Sequence, residues 1–141
     1  MTSQLIGYAS GAFDLFHIGH LNVLRRASEQ CDRLVAGVVA DDVLRQTKGA
    51  GPVVPLAERL AIVASVRYVD HARPEHVADK LQVWREVGFD VYFKGSDWQG
   101  TERGRRLERA FAGVGVEVVY FPYTVHTSST LLRRALELRE G

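Results

Sequence analysis

Ser10-Gly11-Ala12-Phe13-Asp14-Leu15-Phe16-His17-Ile18-Gly19-His20 follows directly on the apolar run Leu5–Ala9, and a helical pattern opens near Gly19. Strand, short turn and helix in that order form the first half of a crossover unit. Working outward, apolar runs rich in β-branched and aromatic residues recur at Leu34–Val39, Val91–Phe93 and Val116–Phe121. Such runs suit strands buried on both faces, as in a parallel sheet. Helical faces lie between and after them: Leu21, Leu24 and Ala27; Leu60, Val63 and Ala64; Val77, Leu81 and Trp84; Leu107 and Phe111; Leu131, Leu132, Ala135 and Leu138. The alternation predicts a three-layer α/β fold, a Rossmann-like parallel sheet with helices on both faces, as one domain over residues 1–141. Asp41–Pro55 has charge, glycines and prolines but no period, so it reads as a loop over the carboxyl edge of the sheet, where open α/β sheets bind ligands.

Composition narrows the function classes. The 141 residues are 46% hydrophobic and 25% charged with only four prolines, which suits a packed core and not a disordered chain. Eighteen basic and seventeen acidic residues are mixed along the chain, without the basic stripe that a nucleic-acid backbone requires. Cys31 is alone, so no intrachain disulfide forms. The start Met1-Thr2-Ser3-Gln4 lacks a basic segment, and the longest apolar stretch, Leu34–Ala40, is too short to span a bilayer. The expectation is a cytoplasmic protein with no membrane insertion.

The chemistry concentrates at the first crossover. His17 and His20 stand one turn apart at a helix start, where unpaired N–H groups and partial positive charge suit a phosphate. Two imidazoles there can donate hydrogen bonds to a phosphorus centre as charge builds on its oxygens. Gly19 between them has no Cβ and allows close approach of a nucleotide. The competing readings are helix capping and a metal site; the latter is weak, because two histidines lack further ligands and Cys31 is a poor third. No Gly-x-Ser-x-Gly elbow and no phosphate-loop Gly-x-x-x-x-Gly-Lys-Ser/Thr motif occurs, and Gly113-x-Gly115 precedes a strand, the wrong context for a dinucleotide fingerprint.

The stretch Gly11–Ala27 resembles the signature of the cytidylyltransferase family, in which His-x-Gly-His follows a Phe-Asp pair. Three further stretches resemble that family in the same order: Glu58-Arg59 with Arg67-Tyr68-Val69-Asp70, then Lys94–Gly100, then Thr127-Ser128-Ser129-Thr130. Together they cover nearly the whole chain. Gly51–Arg59 also resembles the ADP-heptose-forming adenylyltransferase relatives, which leaves the nucleobase open.

The resemblance implies a nucleotidyltransferase-type fold and a role for each matching residue. His17 and His20 would stabilise the pentacoordinate transition state, and Lys48 would reach the triphosphate, with Arg45 as a second cation. Ala12, Phe13, Asp14, Gly19, Asp97 and Thr124 would form the nucleotide site, Asp14 also ordering its loop. Ser128, Ser129 and Thr130 would bind the outer phosphates, or serve as a plain helix cap. Trp98 and Asp97 would lie near the acceptor. Arg59 and Arg67 would clamp phosphate or form salt bridges, and Arg67–Asp70, beside a short strand, would alternatively serve a homodimer contact. Tyr123-Thr124-Val125-His126 departs from the family pattern: an arginine is missing and His126 replaces a glycine.

The implied reaction is transfer of CMP from CTP, with Mg²⁺ bound to the triphosphate, to a small alcohol phosphate. Glycerol 3-phosphate would give CDP-glycerol, a cell-wall or capsule precursor, and pyrophosphate. Alternatives are transfer to another alcohol phosphate or phosphonate, an adenylyltransferase using ATP, or a nucleotide-sensing module without catalysis.

Overall fold

The computed structural model describes residues 4–122 and 128–140. Five strands, β1 (Ile6–Gly11), β2 (Arg33–Val39), β3 (His71–Glu75), β4 (Val91–Gly95) and β5 (Glu117–Phe121), form one sheet in the order β3-β2-β1-β4-β5. All four pairings are parallel. The connections are α1 (Ile18–Ser28), α2 (Asp41–Lys48), α3 (Leu56–Ala64), α4 (Lys80–Val87) and α5 (Glu102–Ala112), and α6 (Ser129–Glu140) follows the last strand.

The period of two along each strand divides the core into two sides. Ala9, Leu34, Ala36, Val38, Val91 and Phe93 pack with Leu24 and Ala27 of α1 and Val63 of α3. Tyr8, Val35 and Tyr92, one residue out of phase, pack with Val83 of α4 and Phe111 of α5. The sheet is therefore covered on both faces, and the three layers expected from the alternation are present.

Two elements differ from the expectation. Asp41–Lys48 is a helix, not a loop: Asp41 and Asp42 open it, Arg45 and Lys48 close it, and Gly49 terminates it at φ 80°. Only Val43 and Leu44 are buried, too few to show a period, and the glycines and prolines that suggested a loop all lie beyond its end. Strand β3 reads His-Ala-Arg-Pro-Glu and has no apolar run. Among the described residues it pairs only with β2, and an edge strand tolerates Pro74 because one side of its backbone needs no partner. In α6 the apolar residues Leu131 and Leu138 are exposed and Leu132 is half-buried, so the described residues cover the expected apolar face only in part. Among the described residues no helix is long and apolar enough to cross a membrane.

Candidate active site

The chain runs outward from β1 to β3 and then returns to β4 on the other side of β1. This reversal opens a crevice beyond the carboxyl ends of β1 and β4, the switch point at which doubly wound sheets bind ligands. A cavity of about 370 Å³ lies there.

Its floor is the β1–α1 loop, in which Phe13 and Leu15 adopt φ of 52° and 50°. Left-handed backbone at such residues costs on the order of 1–3 kcal/mol each and persists only where the surroundings enforce it. Asp14, between them and 1% exposed, supplies the enforcement. Its Oδ1 accepts the Val54 N–H (2.9 Å) and its Oδ2 accepts the Val53 N–H and the Arg133 guanidinium (2.8 and 2.7 Å). Its carbonyl accepts the Ser129 hydroxyl at 2.7 Å. One carboxylate thus ties together the first crossover, the 49–55 loop and α6. Burial alone would raise its pKa, but Arg133 and the two N–H groups outweigh that and hold it below the ordinary value.

His17 is the N-cap of α1, its Nδ1 accepting the Gly19 N–H at 3.0 Å, and His20 Nδ1 accepts the His17 N–H at 3.1 Å. The capping reading is therefore correct, and it has a chemical consequence. With Nδ1 committed as acceptor, the proton of each neutral ring sits on Nε2, so each ring keeps one donor. The ring centroids are 4.1 Å apart and both rings line the crevice. Burial lowers the His17 pKa. Burial, then the neighbouring His17, lowers that of His20 to about 4 against a smaller opposing effect of Asp14. At neutral pH the pair consists of uncharged N–H donors.

Positive charge comes from elsewhere. Lys48, Lys94 and Arg133 line the same crevice as Asp97. Burial lowers Lys94 to about 8; Asp97 opposes the shift, while Lys48, Lys80 and Arg103 reinforce it. Lys94 Nζ and the Arg103 guanidinium lie 4.1 and 4.2 Å from the Trp98 ring centroid. Trp98 borders a smaller adjoining recess of about 80 Å³, which shares Ser10, Gly11, Ala12, Lys48 and Lys94 with the crevice.

Most of the residues expected at the site converge on it: Ala12, Phe13, Asp14, His17, Gly19, His20, Lys48, Asp97, Ser128, Ser129 and Thr130. Ser128 acts as a cap, its Oγ accepting the Leu131 N–H at 3.1 Å, and the Ser129 hydroxyl is spent on Asp14. Thr124, like Tyr123 and His126, lies outside the described residues.

Three arginines do not join. Arg59, 1% exposed, gives Nη1 to the Ala12 and Val39 carbonyls, Nε to the Val54 carbonyl and Nη2 to Asp41. It is a framework residue under the crevice, with no donor turned toward a substrate. Arg67 follows α3 near the start of β3, the sheet edge opposite the crevice, where it is exposed and stands over Tyr68. Arg45 packs against Gly51 and does not line the crevice. Lys94 and Arg133 are the additional cations there. Their signals were modest: Lys94 closes a strand at its carboxyl end, and Arg133 falls one turn after Ser129 on the same helical face.

The cytidylyltransferase-like family model matches residues 8–135, a span that holds the crevice, both histidines and the start of α6. The chain belongs to the cytidylyltransferase-like family. Among similar members, the bifunctional protein HldE of Acidiphilium cryptum is 42% identical over 110 residues, 77% of this chain and 23% of that protein. HldE of Streptomyces coelicolor is 38% identical, covering 92% of this chain and 28% of its own length. The chain thus spans about a quarter of these relatives. An FAD synthase of Pyrococcus abyssi is 28% identical, covering 91% of this chain and 90% of that protein. The lipopolysaccharide core biosynthesis protein of Thermoplasma volcanium has a similar structure, with a TM-score of 0.74 at 26% identity over 89% of this chain and all of that one. The family assignment makes the Rossmann-like fold a nucleotidyltransferase fold.

Proposed function

We propose that the chain catalyses nucleotidyl transfer from a nucleoside triphosphate to a small phosphorylated alcohol. An oxygen of the acceptor phosphate attacks the α-phosphorus, the bond to the bridging oxygen breaks, and its electron pair leaves with pyrophosphate. The observation that carries this reading is the pair of neutral imidazoles whose Nδ1 atoms are tied into the α1 cap, beside three cations in one crevice. The two Nε2–H groups suit the α-phosphate oxygens as charge builds on them, and Lys48, Lys94 and Arg133 suit the triphosphate. A phosphate monoester needs no general base at neutral pH, so positioning and charge neutralisation dominate.

Magnesium ion belongs to this reading as a companion of the triphosphate. Among the described residues no cluster of three metal-ligating side chains exists, and both Asp14 oxygens are already engaged. Asp97 is the carboxylate on the crevice wall with no hydrogen-bond partner among the described residues, which fits an ion held mainly by phosphate oxygens and water. Bound there, the ion would neutralise charge on the departing pyrophosphate.

The finer reading is CMP transfer from CTP to glycerol 3-phosphate. It rests on the family and on the likeness of Lys94–Gly100 to glycerol-phosphate enzymes. A second reading, AMP transfer from ATP, is favoured by the HldE and FAD synthase relatives. The test is kcat/KM for pyrophosphate release with CTP and ATP, each against glycerol 3-phosphate, heptose 1-phosphate and phosphocholine. Preference for ATP rejects the cytidylyl assignment. No product from glycerol 3-phosphate with either nucleotide rejects that acceptor. No pyrophosphate from any pair leaves a binding module.

A further inference from the structure

A buried polar chain runs from the middle of the sheet to the small recess, and the reaction above makes no use of it. Glu75, at the carboxyl end of edge strand β3, is 1% exposed. Its Oε1 accepts the hydroxyl of Tyr8 on β1 at 2.5 Å, and its Oε2 accepts the Lys80 ammonium at 2.6 Å. Tyr8 is itself fully buried. Strand β2 lies between β1 and β3, and its Gly37 is what lets the two side chains meet across it, since a Cβ there would overlap both the Tyr8 hydroxyl and the Glu75 carboxylate.

Stability alone does not account for this arrangement. Burying a carboxylate and an ammonium costs much of what their attraction returns, and apolar residues of similar volume commonly serve a core as well or better. Three strands instead specify a tyrosine, a notch and a glutamate, and their common result is the location of one ammonium group. Lys80 opens α4, its side chain mostly buried, and its Nζ also reaches Ser10 Oγ at 3.3 Å. An ammonium has three donors. Glu75 and Ser10 occupy two, and no acceptor among the described residues takes the third.

The recess that Lys80 lines also receives Lys48, Lys94 and Arg103, and among the described residues no carboxylate lines it. Such a wall suits a dianion and repels a cationic head group. The recess shares Ser10–Ala12 with the histidine-lined crevice and so adjoins the place assigned to the reacting phosphorus.

We propose that Glu75 and Tyr8 are positioning residues that hold the Lys80 ammonium at the recess wall to receive the phosphate of the acceptor alcohol, a role resting on the transferase reading above. Neither touches substrate; both act through Lys80. The chemical class selected is an anionic alcohol phosphate without a compensating positive charge.

The experiment compares E75Q, Y8F and the double variant E75Q/K80M, which removes both buried charges together and so leaves neither unpaired. Two quantities are measured: the separate KM values for nucleotide and acceptor, and calorimetric binding of inorganic phosphate to protein saturated with an α,β-methylene triphosphate. The acceptor KM should rise about tenfold or more in all three, with the nucleotide KM within about twofold of wild type, and phosphate binding should weaken in parallel. A merely structural role would move both KM values together or lower only the melting temperature, and either result overturns the proposal. So does phosphate binding at wild-type strength in all three. Should E75Q fail to fold, Y8F keeps the carboxylate and carries the same expectation. If wild type turns over no nucleotide while phosphate binding still depends on Glu75 and Tyr8, the transferase reading fails and the positioning of Lys80 stands.

Discussion

Replacing His17 separates two functions that one imidazole combines. Its Nδ1 caps α1 by accepting the Gly19 N–H, and its Nε2–H is the donor assigned to the α-phosphate. His17→Ala removes both. Loss of an N-cap acceptor costs about 1 kcal/mol of stability. Loss of one preorganised donor costs about 10²-fold or more in kcat, roughly 3 kcal/mol of transition-state stabilisation. The cap loss cannot account for the rate, because a domain several kcal/mol stable remains folded after losing about 1 kcal/mol. His17→Asn divides the two effects. Asparagine is among the best N-caps, so its Oδ1 can stand where Nδ1 does and accept the same N–H, but its amide nitrogen is bonded to Cγ at the place of the ring's Cδ2 and stops one atom short of Nε2. Urea denaturation should therefore show stability lost in the alanine variant and largely restored in the asparagine variant. Pyrophosphate release should stay depressed by about 10²-fold in both. Near-normal turnover in folded His17→Ala, or turnover that recovers along with stability in His17→Asn, would refute the donor assignment and leave His17 as a cap.

Four other outcomes follow from the same geometry. Asp14→Asn should destabilise the fold by about 3 kcal/mol, because Arg133 and the Val53 and Val54 N–H groups lose a charged acceptor; urea denaturation checks it. For His20 the folded-state pKa, about 4, lies below the ordinary 6.5, so the unfolded chain takes up the proton first. Stability should be full above pH 6.5 and decline as pH falls from there toward 4, and His20→Asn should flatten that slope between pH 7 and 4. Lys94, lowered to about 8, loses its charge as pH rises through that value, so kcat/KM should fall on the alkaline side near pH 8, a limb absent from Lys94→Met. A homodimer is expected from the family resemblance and from Arg67–Asp70 beside β3; sedimentation showing only monomer at micromolar concentration removes it.

What could be read from the sequence was local in origin. Strand and helix periods depend on residues a few positions apart, so the β1–α1 crossover, four of the five strands and most of the helices were visible before any long-range pairing was known. The two histidines were legible for the same reason, since the cap that fixes their tautomers spans only His17 to His20. Helix α2 escaped because its eight residues bury only two apolar side chains, and β3 because a short edge strand needs no apolar run. The remaining features depend on groups far apart in sequence. Asp14 meets Val53 and Arg133 across 39 and 119 positions, and Tyr8 meets Glu75 across 67. Between phosphate clamp and salt bridge the sequence does not choose for Arg59, because an arginine reads the same whether its donors face a ligand or three carbonyls and a carboxylate; the packing of α3 beneath the β1–α1 loop turns them inward, with the salt bridge to Asp41. Sequence determined which polar groups exist and where the backbone can bend. Strand order determined which of them meet away from water, and there an unpaired group is costly enough that partners become fixed.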